Sequence, residues 1–340
     1  MAVLRVLVAG AGAVGSMLAL RLARAGARVT LAEPGPVGRN ASGVAAGMLA
    51  PVFESVFDPG PGEFDLLMRA RGLWPDLAQG AGINIDRSGA MAVGSPAELD
   101  MWEAALRELG AAGERHDEAA ARERSPWLAQ GLGGLWTAQD WRLDSVQALH
   151  ALQSAARREG VEQRNVAVEA FQPGRATLAN GERIDVDRVV LATGATRGLT
   201  ALAPELSGLR PIKGHILRMT GLCLTGPAVR YAGGYICPDP SGAVIGATME
   251  TGRDDDAVEA SSVLSIRERA ARALPAALTA PAEAAVGVRA ATQDRKPLVR
   301  PSATPGVWLA VGARRNGWLL APLIAETVTR GLVYGVVQEM

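Results

Sequence analysis

An α/β fold is predicted: a Rossmann-like nucleotide-binding domain interleaved with an α+β domain built on a mixed or antiparallel sheet. Three observations predict it. A strand–glycine loop–helix–strand unit opens the chain. A β-meander and a further apolar strand ending in Ala192-Thr193-Gly194 follow only near residue 190. More strands and a closing helix come after residue 282. One continuous nucleotide domain followed by a second domain does not explain this order, whereas strands drawn from three separated stretches do. The expected boundaries are 1–80, 140–211 and 282–340 for the nucleotide domain, with 81–139 and 212–281 forming the other.

The opening unit runs LRVLVAGAGAVGSMLALRLARAGARVTLAE from Leu4 to Glu33. Leu4 to Ala9 is a short apolar run suited to a buried strand. Gly10, Gly12 and Gly15 then form G-x-G-x-x-G ahead of a helix over Val14 to Ala25, with Leu18 and Leu22 at helical spacing. Gly26 suits a left-handed helix end. Arg28 to Ala32 reads as the second strand and delivers Glu33. This is a dinucleotide fingerprint in its proper context. Gly10 permits the turn, Gly12 lets backbone approach a pyrophosphate, and Gly15 lets helix pack on strand. The helix N-terminus offers N–H donors to phosphate, and Glu33 is placed to accept from ribose hydroxyls.

Residues 34–51 are rich in glycine and small residues, and are expected to be a buried, ligand-contacting segment. A helix is expected over Glu63 to Gly80, then strand–turn–strand from Ile83 to Val93. Pro96 and Glu98 start a helix running to Leu109, and a shorter one covers Ala119 to Arg124. Gly133 to Ala138 reads as a strand. Asp144 is the expected N-cap of a helix from Ser145 to Glu159. The meander covers Val166 to Phe171, Arg175 to Leu178 and Arg183 to Asp185, with Asn180-Gly181 as a hairpin turn. Arg188 to Ala192 is a buried strand. Further strands are expected over Pro211 to Arg218, Ala228 to Cys237, Ala243 to Thr248, Ala284 to Arg289 and Val307 to Val311. Helices complete the pattern over Ala260 to Leu274 and from Gly317 to Arg330.

Composition limits the function classes. The 340 residues are 48% hydrophobic and carry formal net charge +0. A large core is therefore available, and neither nucleic acid nor an anionic membrane is an expected partner. Cys223 and Cys237 are too few for a disulfide framework. His116, His150 and His215 lie far apart, so no metal site is expected. No window reaches the length of a membrane span, and the cytoplasm is the expected location.

Several words give the chain a family resemblance. They are Ala45-Ala46-Gly47-Met48-Leu49-Ala50-Pro51, Pro211-Ile212-Lys213-Gly214, and Tyr235-Ile236-Cys237-Pro238. Gly246-Ala247-Thr248-Met249-Glu250, Gly287-Val288-Arg289 and Arg315-Asn316-Gly317-Trp318-Leu319-Leu320-Ala321-Pro322 complete the set. Together they resemble the FAD-dependent D-amino acid oxidase family, a GR2-type flavoprotein group, and within it the glycine oxidases of thiamine biosynthesis. The chain departs from the family pattern at Ala290, at Gly312-Ala313-Arg314 and at Thr292-Gln293-Asp294-Arg295-Lys296-Pro297.

The resemblance implies FAD, bound noncovalently. It implies cofactor contacts from Gly10, Gly12, Ala13, Val14, Gly15, Glu33 and Ser42, and from Ala45, Ala46, Gly47, Met48 and Leu49. Ala167, Ala192, Thr193 and Gly194 join them, as do Gly312, Asn316, Gly317, Trp318 and Leu319. It assigns the substrate carboxylate to Arg289, a second hydrogen bond to Tyr235, a further polar contact to Arg315 (with Arg314 as the alternative), and pocket shape to Met249. Lys213 and His215 are expected to be structural. The implied reaction moves a hydride from Cα of glycine or another small or secondary amino acid to flavin N5. The products are an imine and then a 2-oxo acid, with O2 reduced to H2O2. The competing readings are a dehydrogenase that passes electrons to a carrier or quinone, a flavin-binding protein without turnover, and an NAD(P) enzyme. The expected partners are a small amino acid and O2, and a homo-oligomer is allowed.

Overall fold

The computed structural model describes residues 3–60 and 62–336. Its centre is a six-stranded sheet in the order Leu298–Pro301, Val307–Val311, Arg188–Leu191, Arg5–Ala9, Arg28–Ala32, Glu162–Arg164. All neighbours are parallel except the first pair. The interleaving therefore exists: this sheet takes strands from both ends of the chain and from its middle.

Alternation along Arg5–Ala9 builds a layer on each side. Val6 and Val8 point to helices Ala13–Arg24, Ser145–Arg158 and Gly317–Tyr334, meeting Leu18, Leu149 and Ile324. Leu7 and Ala9 point the other way, to the meander of Val168–Gln172, Gly174–Leu178 and Arg183–Val186, meeting Ala176 and Leu178. Both faces are covered, as parallel sheets require. Each fully buried Leu in these layers contributes roughly 1.5–3 kcal/mol. Asp144 caps its helix as expected, accepting from the N–H groups of Val146 and Gln147 at 2.9 Å. Gly181 turns the meander at φ +84°.

A nine-stranded sheet forms the second layer system, and strand Arg210–Thr220 is its spine. Strand Ala282–Ala291 pairs antiparallel with that spine from Ala282 to Ala291. Sequence placed residues 282–291 with the nucleotide domain; their ladder instead ties them to the nine-stranded sheet, and the six-stranded sheet resumes at Leu298.

Other expectations need correction. Glu63 to Gly80 is not one helix but two, Glu63–Gly72 and Trp74–Ala81. Pro75 has no N–H to continue the first and suits the opening turn of the second. Ala228 to Cys237 is a hairpin, Ala228–Tyr231 and Gly234–Asp239, because Gly233 at φ +85° closes a tight turn. The strands near Ile85 and Ala90 join different sheets rather than pairing together. Within 34–51 a short helix, Ala41–Val44, is capped by Asn40, whose side-chain oxygen accepts from Ser42 N and Gly43 N. Pro51–Phe57 is a further helix that the sequence pattern did not reveal.

Candidate active site

The glycine loop sits where strand Arg5–Ala9 meets helix Ala13–Arg24. Gly10 adopts φ +100°, and a Cβ there would fall 2.5 Å from Ala192 O. A Cβ on Gly15 would fall 1.8 Å from Gly10 O, so close packing of helix on strand fixes that glycine. Gly12 is the helix N-cap and faces Ser42, whose Oγ accepts from Ala13 N at 2.9 Å. Glu33 leaves the second strand and accepts from Ala11 N at 2.9 Å and Gly35 N at 3.1 Å.

A cavity of about 850 Å³ opens from this loop. Gly10, Gly12, Ala13 and Val14 line one end, with Glu33, Ser42 and Ala45 beside them. Ala167, Ala192, Thr193 and Gly194 add the ends of the meander and of strand Arg188–Leu191. Gly312 and Arg315, from the loop before the final helix, and Gly317 and Trp318, from its first turn, close it, and Arg289 enters from strand Ala282–Ala291.

Other predicted site residues lie outside the lining. Gly15 is covered by Gly10. Ala46 packs against an apolar cluster behind the cavity wall. Gly47 turns at φ +71° against Leu143. Met48 and Leu49 form a strand paired with Trp141–Leu143. Leu319 is fully buried in the helical core. Asn316 is the N-cap residue of the last helix, and its amide donates to Glu63 Oε1 at 3.4 Å. Met249 is 40% exposed, with its sulfur 3.5 Å from Arg289 Nη1. Tyr235 is buried, and its ring lies across Gly246, where a Cβ would fall 2.5 Å from the hydroxyl.

The arginines divide sharply. Arg315 reaches Glu54 at 3.0 Å and Asp58 at 3.1 Å. Arg314, held at φ +51°, also binds Asp58, and Arg295 joins it at 2.7 Å. Glu54 takes a second buried partner, Arg230, at 2.8 Å. Burial alone would raise Glu54, but Arg315 and Arg230 outweigh it and hold the carboxyl at about 2. Arg289 has no carboxylate within 4.0 Å among the described residues. Its guanidinium rests over Gly214, where a Cβ would fall 2.2 Å from Nη1. Burial lowers its pKa. A half-buried guanidinium that meets only the Thr248 carbonyl and the Met249 sulfur is stabilised by a carboxylate ligand.

Lys213 and His215 are structural. Lys213 is fully buried against Asp255 and Glu259. His215 accepts from Glu259 N at 3.1 Å on Nε2, while Nδ1 faces Thr248 and Glu250. Sequence reasoning missed Glu54, Asp58 and Arg230. The signal for Glu54 was an acid inside the apolar run Val52-Phe53-Glu54-Ser55-Val56-Phe57.

Residues 5–330 match the family described as FAD dependent oxidoreductase. The chain belongs to that family. A Rhizobium etli protein named as the thiamine biosynthesis oxidoreductase ThiO is 35% identical over 97% of each chain. A glycine oxidase of Pseudomonas aeruginosa is 30% identical, covering 94% of this chain and 92% of that one. The crystal structure of glycine oxidase from Geobacillus kaustophilus superposes with TM-score 0.86 at 26% identity, over 99% and 96% of the two chains.

The cavity fits the FAD of an FAD-dependent oxidoreductase. Thr193 lines it, and its Oγ1 is buried without a hydrogen-bond partner. Gly12 leaves open the space that a side chain would fill against Ser42. The cap of helix Ala13–Arg24 supplies N–H groups for a pyrophosphate. Among the described residues no His, Cys, Asp and Glu cluster suits a metal ion, and no helix is long and apolar enough to cross a membrane.

Proposed function

We propose that this FAD-dependent oxidoreductase oxidises glycine or another small or secondary amino acid, with O2 as the electron acceptor. The observation that carries the reading is Arg289: the cavity presents one half-buried guanidinium without an acid partner among the described residues, and an α-carboxylate supplies that partner. The glycine oxidases among its relatives support the same substrate class.

FAD supplies the two-electron acceptor when bound, and the chain's residues do the rest. Arg289 grips the carboxylate with a planar fork. Tyr235, kept protonated by burial, donates a second hydrogen bond. Met249 flanks the guanidinium. Arg315, held by Glu54 and Asp58, adds a fixed polar wall. The substrate loses two electrons and two protons and becomes an imine. Water converts the imine to a 2-oxo acid and ammonia, or the corresponding amine when the substrate is secondary, and O2 takes up the electrons and protons as H2O2. The cytoplasm is the expected setting for this reaction.

Anaerobic mixing of the yellow holoenzyme with a panel of amino acids and N-substituted glycines tests the proposal. Bleaching by a small amino acid, with stoichiometric peroxide on admission of air, is expected. Bleaching without peroxide would instead favour a carrier or quinone as acceptor. A flavin that no amino acid bleaches would end the reading.

A further inference from the structure

Helix Pro51–Phe57 has seven residues, too few to persist on its own hydrogen bonds. Its opening N–H groups have no partners within the helix. Ala50, at the N-cap, has no side-chain acceptor to offer. The acceptor comes from far away in sequence. Asp140, completely buried, accepts from Val52 N at 2.8 Å on Oδ1 and from Phe53 N at 2.9 Å on Oδ2. Asp140 stands between strand Gly133–Thr137 of the nine-stranded sheet and strand Trp141–Leu143 of a small three-stranded sheet. Two sheets therefore hold the carboxylate that seats this helix.

The helix carries the acids that order the arginines. Glu54 follows Phe53 directly and binds Arg230 and Arg315. Asp58, at the other end, binds Arg315, Arg314 and Arg295. Arg314 and Arg315 line the cavity. A displacement at the Val52 and Phe53 N–H groups is passed to Glu54 within one residue.

We propose that Asp140 is a positioning residue for the active site: it seats helix Pro51–Phe57 and, through Glu54, sets where Arg315 meets the cavity. Two acceptor oxygens are needed at once. Asn offers one and turns an N–H group against the remaining backbone donor. Arg230, paired with Glu54 at 2.8 Å, favours the ionised form of Asp140, while burial pushes that carboxyl up to about 7.

The test is a double-mutant cycle on the FAD-loaded enzyme with Asp140→Asn and Glu54→Gln. It reads flavin midpoint potential, KM and kcat for the best amino acid, and melting temperature. Asp140→Asn is expected to raise KM on the order of tenfold, the cost of one hydrogen bond to a charged group, with kcat changed far less. It is also expected to move the potential in the same direction as Glu54→Gln. In the double variant the two effects should not add. Additive effects, or a lowered melting temperature with KM and potential at wild-type values, would overturn the proposal. Should Asp140→Asn not fold, Asp140→Ser, whose hydroxyl still caps one N–H, is read in the same way. The KM arm rests on the amino acid reading. If no amino acid reduces the flavin, that reading fails, and the potential cycle alone decides the role of Asp140.

Discussion

The Arg315 guanidinium lies 3.0 Å from the Glu54 carboxylate. In the proposed reading, that contact ties Arg315 to an acid and leaves Arg289 to hold the substrate carboxylate. Arg315 and Arg314 are matched by acids, Arg197 pairs with Asp254, and Arg39 is exposed. Arg289 is the half-buried cavity arginine with no carboxylate partner among the described residues. Changing it to Leu removes two charge-assisted hydrogen bonds to a carboxylate. Truncating one partner of such a pair costs about 2–5 kcal/mol, on the order of 30- to 5,000-fold in kcat/KM. Flavin content should stay normal. Steady-state kinetics beside Arg315→Leu checks this. An Arg289→Leu enzyme within about threefold of wild type would move the anchor to Arg315.

Gly214 gives an independent handle on the same group. Arg289 Nη1 would lie 2.2 Å from a Cβ at this position. The two residues sit on paired strands, with Gly214 opposite Gly287. Gly214→Ala should therefore displace the guanidinium and reproduce part of the Arg289→Leu loss, seen as a raised KM with FAD retained. An unchanged KM would show that the guanidinium has another resting place.

The nucleotide unit was legible because its constraints are local. Gly10, Gly12, Gly15 and Glu33 fall within one strand–helix–strand: Gly10 at a positive φ, Gly12 and Gly15 where a side chain would meet Ser42 or the Gly10 carbonyl, and Glu33 at a strand end. Arg289 was reached instead through the family resemblance of Gly287-Val288-Arg289. Glu54, Asp58 and Asp140 were not. Their partners lie from 87 to 261 residues away, and helix Pro51–Phe57 has no N-cap side chain or long periodicity to announce it. The pairing of Ala282–Ala291 with Arg210–Thr220 was also hidden, since an apolar run does not name its sheet.

The glycines of the loop separate binding from folding. A Cβ on Gly12 meets only the Ser42 hydroxyl, at 3.0 Å, whereas one on Gly15 would be driven into the Gly10 carbonyl. Gly12→Val should fold and fail to take up FAD. Gly15→Ala should lose thermal stability even before FAD is considered. Absorbance of the purified proteins and melting followed by circular dichroism distinguish the two. A yellow Gly12→Val protein would mean that the pyrophosphate lies elsewhere.

Glu54 links the site to acid stability. Its carboxyl, ordinarily at 4.5, is held at about 2 in the folded protein. A lowered folded value means that the unfolded chain binds the proton first. The stabilisation is therefore complete above about pH 4.5 and lost as pH falls toward 2, amounting to about 3 kcal/mol. Glu54→Gln should be less stable at neutral pH, with a flatter decline in acid. Denaturant midpoints from pH 3 to pH 7 measure both. A variant that keeps the wild-type acid slope would assign that slope to other carboxylates.

Tyr235 is the group whose titration should not be visible. Burial pushes its hydroxyl up to about 12, against the pull of Arg289. The hydroxyl therefore stays protonated, and a donor, throughout the range in which the enzyme is stable. The sign follows from the acid: a raised value delays ionisation, so activity gains no tyrosine limb between pH 6 and about 10. Removing the hydroxyl is the informative change. Tyr235→Phe keeps the ring across Gly246 and deletes one hydrogen bond to a charged group, worth about 1.5–3 kcal/mol. KM should rise on the order of 10- to 100-fold by the same factor at every pH in that range. A loss that grows toward alkaline pH would mean that the wild-type hydroxyl acts as a base, and the role of Tyr235 as a fixed donor would fall.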